Sequence, residues 1–110
     1  MSKVADFLTE AKELIKDPNH WAQGFFAKTK DGHFVGSNDL RATCWCSLGA
    51  ITKTGSRSGV PDFDLIAYAE DILDQVMCGD IAEYNDGHTH AEVMEAWDEA
   101  IKLAIEKESK

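Results

Sequence analysis

The sequence predicts a mainly α-helical fold, a small single domain over residues 1–110 with four or five helices around a central buried helix and one short β-hairpin near residues 25–35. Apolar side chains recur at helical spacing in several segments, and 110 residues is the usual size of one domain. The segment from Thr43 to Ile51 carries no charge, which is typical of a helix buried on most sides. The dipeptide Asp31-Gly32 lies between two short apolar runs and favours a hairpin turn.

The first half of the chain divides into a helix, a hairpin and a second helix. The first helix is predicted over residues 3–16, and Asp17 ends it because the residue before Pro18 avoids helical backbone angles. In the hairpin, Asp31 and Gly32 are expected to form a two-residue turn in which both have positive φ. The second helix is predicted over residues 39–53, and its uncharged middle makes it the central helix. The apolar face of the first helix consists of Val4, Leu8, Ala11 and Ile15.

The second half is predicted to form two longer helices joined by a short helical turn. Pro61 is expected at the first position of the third helix, which Gly79 ends. Residues 80–85 are expected to form the short turn. Thr89 and Glu92 have the spacing of a capping box, in which each side chain bonds to the other residue's backbone N–H group. The last helix is therefore predicted over residues 90–107.

The charge of the chain is unevenly distributed. The formal net charge is −9, and residues 58–101 contain twelve carboxylates but no lysine or arginine. Such a field repels phosphate backbones and attracts basic surfaces or cations, so direct binding to nucleic acid is disfavoured. Two helices are expected to present a partner-binding acidic face, which consists of Glu70, Asp71, Asp74, Glu92, Glu95, Asp98 and Glu99. Ordinary solubilising charge is the alternative explanation.

The cysteines and histidines suggest two kinds of chemistry. Cys44-x-Cys46 and His88-x-His90 suggest zinc, but residues two apart on a helix point in different directions, so no metal is predicted. A thiol enzyme would use Cys46 as nucleophile, His88 or His90 as base, and Asp86 or Asn85 to orient the base. Cys46 is predicted inside a helix, beyond the influence of the helix N-terminus, so an enzyme is not the favoured interpretation.

A group of aromatic and polar residues suggests a ligand pocket. The residues expected to take part are Trp21, Gly24, Arg41, Trp45, Asn85 and Asp86. Indole rings stack on planar ligands, and Arg41 is one of few cations available to hold an anion. The predicted ligand is therefore small, planar and anionic. A tryptophan-rich core is the alternative explanation, and no cofactor is predicted.

The composition favours a cytoplasmic protein that does not contact membranes. No apolar run approaches the length of a membrane span, and acids stand near the N-terminus where a secretion signal would be apolar. The chain has three cysteines, an odd number without the spacing of a disulfide framework. Free thiols of this kind are typical of a reducing compartment.

Three short motifs carry a resemblance to a known family. Trp21-x-x-Gly24 is followed by Trp45-Cys46-x-x-Gly49-Ala50 and then by Asn85-Asp86. In these motifs the chain resembles an uncharacterised family of small proteins from bacterial, notably actinobacterial, genomes and from phages. The resemblance covers nearly the whole chain. It implies a phage-type accessory factor that inhibits or sequesters a host component.

Three functional hypotheses follow. The favoured one is a non-catalytic acidic binding protein that holds a basic host protein or a small planar anion. The second is an enzyme that depends on Cys46 together with His88 or His90. The third is a structural component that assembles into a homo-oligomer, and the sequence leaves the oligomeric state open.

Overall fold

The computed structural model describes residues 3–57 and 59–108 as a bundle of α-helices with a small antiparallel sheet at one side. In chain order the elements are α1 (Lys3–Ile15), a 3₁₀ turn (Pro18–His20), β1 (Ala27–Thr29), β2 (Phe34–Val35), β3 (Ala42–Trp45), α2 (Ser47–Gly55), α3 (Phe63–Val76), α4 (Ile81–Gly87) and α5 (His90–Glu108). The prediction of a mainly helical domain with a short hairpin is confirmed. No helix within these residues is long and apolar enough to cross a bilayer.

The apolar faces of the helices meet in one core. Trp97 of α5 is the largest fully buried side chain, and it packs together with Leu8, Ile51, Ile72 and Leu73 from the other long helices. Burial of each large apolar side chain stabilises the fold by roughly 1.5–3 kcal/mol. Helix α2 contacts α1, α3 and α4, and α3 contacts all four of the other helices, so the predicted central position is not unique to α2.

The sheet has three strands in the order β2-β1-β3, and all neighbours are antiparallel. The predicted two-residue hairpin turn is wrong. Thr29 pairs with His33 through the bond from Thr29 N to His33 O (2.9 Å), which leaves a loop of Lys30, Asp31 and Gly32. Gly32 has φ +88°. A three-residue loop of this kind needs a left-handed residue only at its last position.

The segment predicted as the first part of a helix over residues 39–53 is a strand followed by a shorter helix. Ala42 to Trp45 pair with β1, and α2 begins only at Ser47. β-branched and aromatic residues such as Thr43 and Trp45 fit a pleated surface, and an uncharged run suits a buried strand as well as a buried helix. Pairing with β1 decides between them. Cys46 is consequently the N-cap of α2 and does not lie inside the helix as predicted.

Helix α2 lies unusually close to the chain before β1. The amide of Cys46 donates to the Phe26 carbonyl at 3.2 Å. A Cβ atom on Gly49 would lie 2.1 Å from the same carbonyl oxygen. This approach is possible only because position 49 has no side chain.

Local capping interactions determine both ends of α3 and the start of α5. Asp62 caps α3 by accepting a bond from the Leu65 amide, so Pro61 precedes the helix and is not its first residue as predicted. The end of α3 forms a Schellman motif in which Gly79 N donates to Asp74 O (2.9 Å), with Cys78 in the left-handed position at φ +62°. The predicted capping box is confirmed by reciprocal bonds between Thr89 and Glu92.

Candidate functional site

Asn85 is the centre of a buried hydrogen-bond network. Its side chain is fully buried at the end of α4. The amide oxygen accepts bonds from Trp21 Nε1 (2.8 Å), Ser47 N (3.0 Å) and Ser47 Oγ (2.8 Å). The amide nitrogen donates to Ala22 O (2.9 Å). Trp97 Nε1 donates to Ser47 Oγ at 3.1 Å and links the network to the core.

Four of the six predicted ligand residues belong to this network or border it. Asp86 Oδ1 accepts bonds from Gly24 N (2.8 Å) and from the Asn85 amide (3.2 Å). A parallel backbone bridge joins Trp21 to Trp45, and the Trp21 indole contacts the His90 ring edge-on with centroids 5.4 Å apart. The polar atoms of Asn85 are saturated by protein partners, and a ligand would have to break those bonds. The geometry therefore favours a structural role for Trp21 and Asn85.

The remaining two candidates are bound by nearby groups. Arg41 forms a two-pronged ion pair with Asp39, with both distances at 3.0 Å. The guanidinium lowers the pKa of the Asp39 carboxyl to about 2. Trp45 Nε1 donates to Ser37 O at 2.9 Å. Arg41 is exposed but already carries its counter-ion, which reduces its value for holding an anionic ligand.

The Cys46 thiol is placed for packing and capping. Only 5% of Cys46 is exposed, and its sulfur accepts a bond from the Gly49 amide at 3.3 Å. Burial raises the pKa of the thiol, with a smaller contribution from the nearby Asp86 charge. A buried thiol of raised pKa is a poor nucleophile because the thiolate is the reactive form.

The two histidines are engaged by backbone carbonyls. His88 Nδ1 bonds to Tyr84 O (2.8 Å), and His90 Nε2 bonds to Ile15 O (2.7 Å). A carbonyl only accepts, so each of these ring nitrogens carries a hydrogen. In the described part of the chain, no hydrogen bond joins Cys46 to either histidine.

The helical geometry that argued against a metal site at Cys44 and Cys46 is not present in the structure. Cys44 lies in a strand, where residues two apart point to the same face, so the helix argument does not apply. Residues 3–57 and 59–108 contain no group of three or more histidine, cysteine, aspartate or glutamate side chains placed to share an ion.

A second feature is a surface cavity of about 320 Å³ between the end of α3 and the start of α4. We call it the acidic groove. Its carboxylates are Glu70, Asp71, Asp74 and Asp80, and its apolar lining is Leu48, Ile81 and Ala82. The Schellman turn at Gly79 brings the two helices together, and Asp80 caps α4 through the Glu83 amide (3.0 Å).

Within residues 3–57 and 59–108, no lysine or arginine lines the acidic groove. Arg57 and Lys102 are the nearest arginine or lysine residues in sequence on either side, and Arg57 pairs with Glu10. No ion pair reaches a groove carboxylate within residues 3–57 and 59–108. Burial raises the pKa of Glu70, and the charges of Asp71 and Asp74 raise it further. The groove therefore holds repelling charges that an incoming cation would relieve.

The seven carboxylates of the predicted acidic face have different local surroundings. Glu70, Asp71 and Asp74 line the acidic groove, but Glu92 is engaged in the capping box, whose bonds with Thr89 lower the pKa of the Glu92 carboxyl. Asp98 forms an ion pair with Lys12 of α1. The other two members, Glu95 and Glu99, are exposed on α5. Asp80 was not among the predicted residues, although its position after Gly79 at a helix start was a usable signal.

The chain matches the model of a family described as a family of unknown function (DUF6197) over residues 1–103. No curated protein matches the chain, and no solved structure matches it.

Proposed function

We propose that this chain, which belongs to the family of unknown function DUF6197, is a non-catalytic binding protein that captures a basic segment of a partner protein in its acidic groove. The observation that carries the proposal is the convergence of Glu70, Asp71, Asp74 and Asp80 on one cavity, where none of them forms an ion pair with a lysine or arginine among the described residues.

The lining of the groove suits a lysine or arginine side chain. Leu48 and Ala82 offer apolar surface for the methylene stem, and the carboxylates lie at the same cavity for the charged head. The long-range field adds to this local attraction, since the second half of the chain is strongly acidic. Complementary charge of this kind raises association rates and selects basic partners.

The rival functions receive less support. A thiol enzyme requires an accessible thiolate, and Cys46 is buried with a raised pKa. A planar anion between Trp21 and Trp45 would compete with the bonds that Asn85 makes, and it would sit in a chain of net charge −9.

The host-directed part of the hypothesis stays a prediction. A phage-type accessory factor could inhibit a host component by covering a basic surface that the component needs. The acidic groove supplies a physical means of doing so, because it would compete with any anionic ligand of that surface.

The test is capture of partners from a bacterial lysate by immobilised protein, compared between two charge-matched variants. Asp71→Asn with Asp74→Asn removes two charges from the groove, and Glu95→Gln with Glu99→Gln removes two from α5. The proposal predicts that basic proteins are retained by the wild type and the α5 variant, lost by the groove variant, and released by salt. Equal retention by both variants would reject the groove as the binding site.

A further inference from the structure

A second cavity, of about 300 Å³, adjoins the acidic groove at Asp80. It lies against α4 and the turn that precedes it. Its principal lining side chains are Met77, Cys78, Asp80, Glu83, Tyr84 and His88. This cavity differs from the acidic groove because aromatic rings form part of its wall.

The rings of Tyr84 and His88 form a stacked pair. Their centroids are 3.7 Å apart and their planes differ by 13°. The two residues are four apart in sequence, and the bond from His88 Nδ1 to Tyr84 O (2.8 Å) fixes the imidazole. Both side chains are half-buried, so the pair is held in place while part of it remains open to the cavity.

The carboxylates beside the ring pair have bonding capacity left. Asp80 uses Oδ1 to accept a bond from the Glu83 amide, which leaves its second oxygen available. Neither Asp80 nor Glu83 forms an ion pair with a lysine or arginine in the described residues. The cavity is thus lined by an aromatic pair, in which each ring covers one face of the other, and by carboxylates without a lysine or arginine partner in the described residues.

We propose that this cavity binds an arginine side chain of the basic segment. This proposal rests on the proposed function and specifies which residue the segment must carry. A guanidinium is planar, so it stacks on an aromatic ring and bonds to a carboxylate through parallel N–H groups at the same time. A lysine ammonium pairs with the carboxylates but gains less from the rings. A neighbouring lysine or arginine of the same segment enters the acidic groove, which adjoins this cavity at Asp80.

The experiment measures binding of three fluorescent peptides by anisotropy. Each is a Gly-Ser peptide with three identical residues at alternate positions, and these are arginine, lysine or citrulline. Citrulline has the shape of arginine without the charge. The arginine peptide should bind roughly five- to tenfold more tightly than the lysine peptide, and the citrulline peptide should not bind.

Variants assign the preference to the ring pair. Tyr84→Leu should remove the advantage of arginine over lysine and leave lysine binding within about twofold of the wild type. Tyr84→Phe keeps a ring and should keep the advantage, and Tyr68→Leu, which alters an exposed tyrosine on α3, should change neither. Circular dichroism checks that each variant is folded.

The outcomes separate this inference from the proposed function. Equal binding of arginine and lysine peptides by the wild type overturns the arginine site but leaves the acidic groove intact. An arginine advantage that survives in Tyr84→Leu also overturns the site. Failure of every basic peptide to bind, at low and at physiological salt, overturns the proposed function itself.

Discussion

Replacement of Asn85 by alanine tests whether this residue holds the fold together. The change removes the acceptor of the Trp21 and Ser47 N–H groups and the donor to the Ala22 carbonyl. Each buried group left without a partner costs about 1–3 kcal/mol. Trp21 is only half-buried, so water replaces part of its bond, and we expect a total loss of about 3–5 kcal/mol.

The loss is large compared with the usual stability of a small domain, about 5–15 kcal/mol. Urea unfolding followed by circular dichroism measures it, since the midpoint falls while the slope with denaturant stays constant. Asn38→Ala is the control because Asn38 is exposed, and it should change the free energy of unfolding by less than about 0.5 kcal/mol.

A loss below about 1 kcal/mol for Asn85→Ala would refute the reasoning, because a network of five bonds cannot then be a main support of the fold. If such a stable variant also failed to bind a planar anion that the wild type binds, Asn85 would be a ligand residue as first predicted.

Four further results are expected. Gly49→Ala should destabilise the chain by about 2 kcal/mol despite the helix preference of alanine, because its Cβ would meet the Phe26 carbonyl. Gly87→Ala is the control: its Cβ would lie in open space, so thermal unfolding should show a neutral or stabilising effect. Cys78→Gly should raise the free energy of unfolding by about 0.5–1 kcal/mol by relieving the left-handed backbone of a non-glycine residue. Glu70→Gln should stabilise the unbound chain at pH 7 and weaken its binding of a basic peptide. The raised pKa of Glu70 means that the ionised carboxylate opposes folding. The free energy of unfolding of the wild type should therefore rise as the pH falls through the pKa of Glu70 in the folded chain. Under native conditions a thiol reagent should label the exposed Cys78 quickly and the buried Cys44 and Cys46 slowly, and rapid labelling of Cys46 would revive the enzyme hypothesis.

The sequence predicted best those features that neighbouring residues determine. The first helix, the capping box of Thr89 and Glu92, and the glycine at the hairpin loop each depend on residues within a few positions. The strand at residues 42–45 was misassigned because its pairing with β1 spans more than ten residues, and nothing local distinguishes a buried strand from a buried helix.

In the candidate sites, too, features set by composition were predicted and features set by tertiary packing were not. Trp21, Asn85 and Asp86 were grouped together as pocket candidates, but Ser47 was missed because a serine in an uncharged segment predicted to be helical gives no local sign of its bond to Asn85. The acidic region was evident from composition, whereas the convergence of Glu70 and Asp80 depends on how α3 and α4 meet. Composition therefore identified the charge of the surface, and tertiary packing decided which carboxylates share a cavity.

The most direct test of the account is the affinity of a basic peptide for the two charge-matched variants. The arginine peptide is titrated against Asp71→Asn/Asp74→Asn and against Glu95→Gln/Glu99→Gln at equal ionic strength. The groove variant should lose about tenfold in affinity and the α5 variant less than about threefold. An equal loss in both variants would mean that the peptide senses only net charge and that the acidic groove is not a binding site.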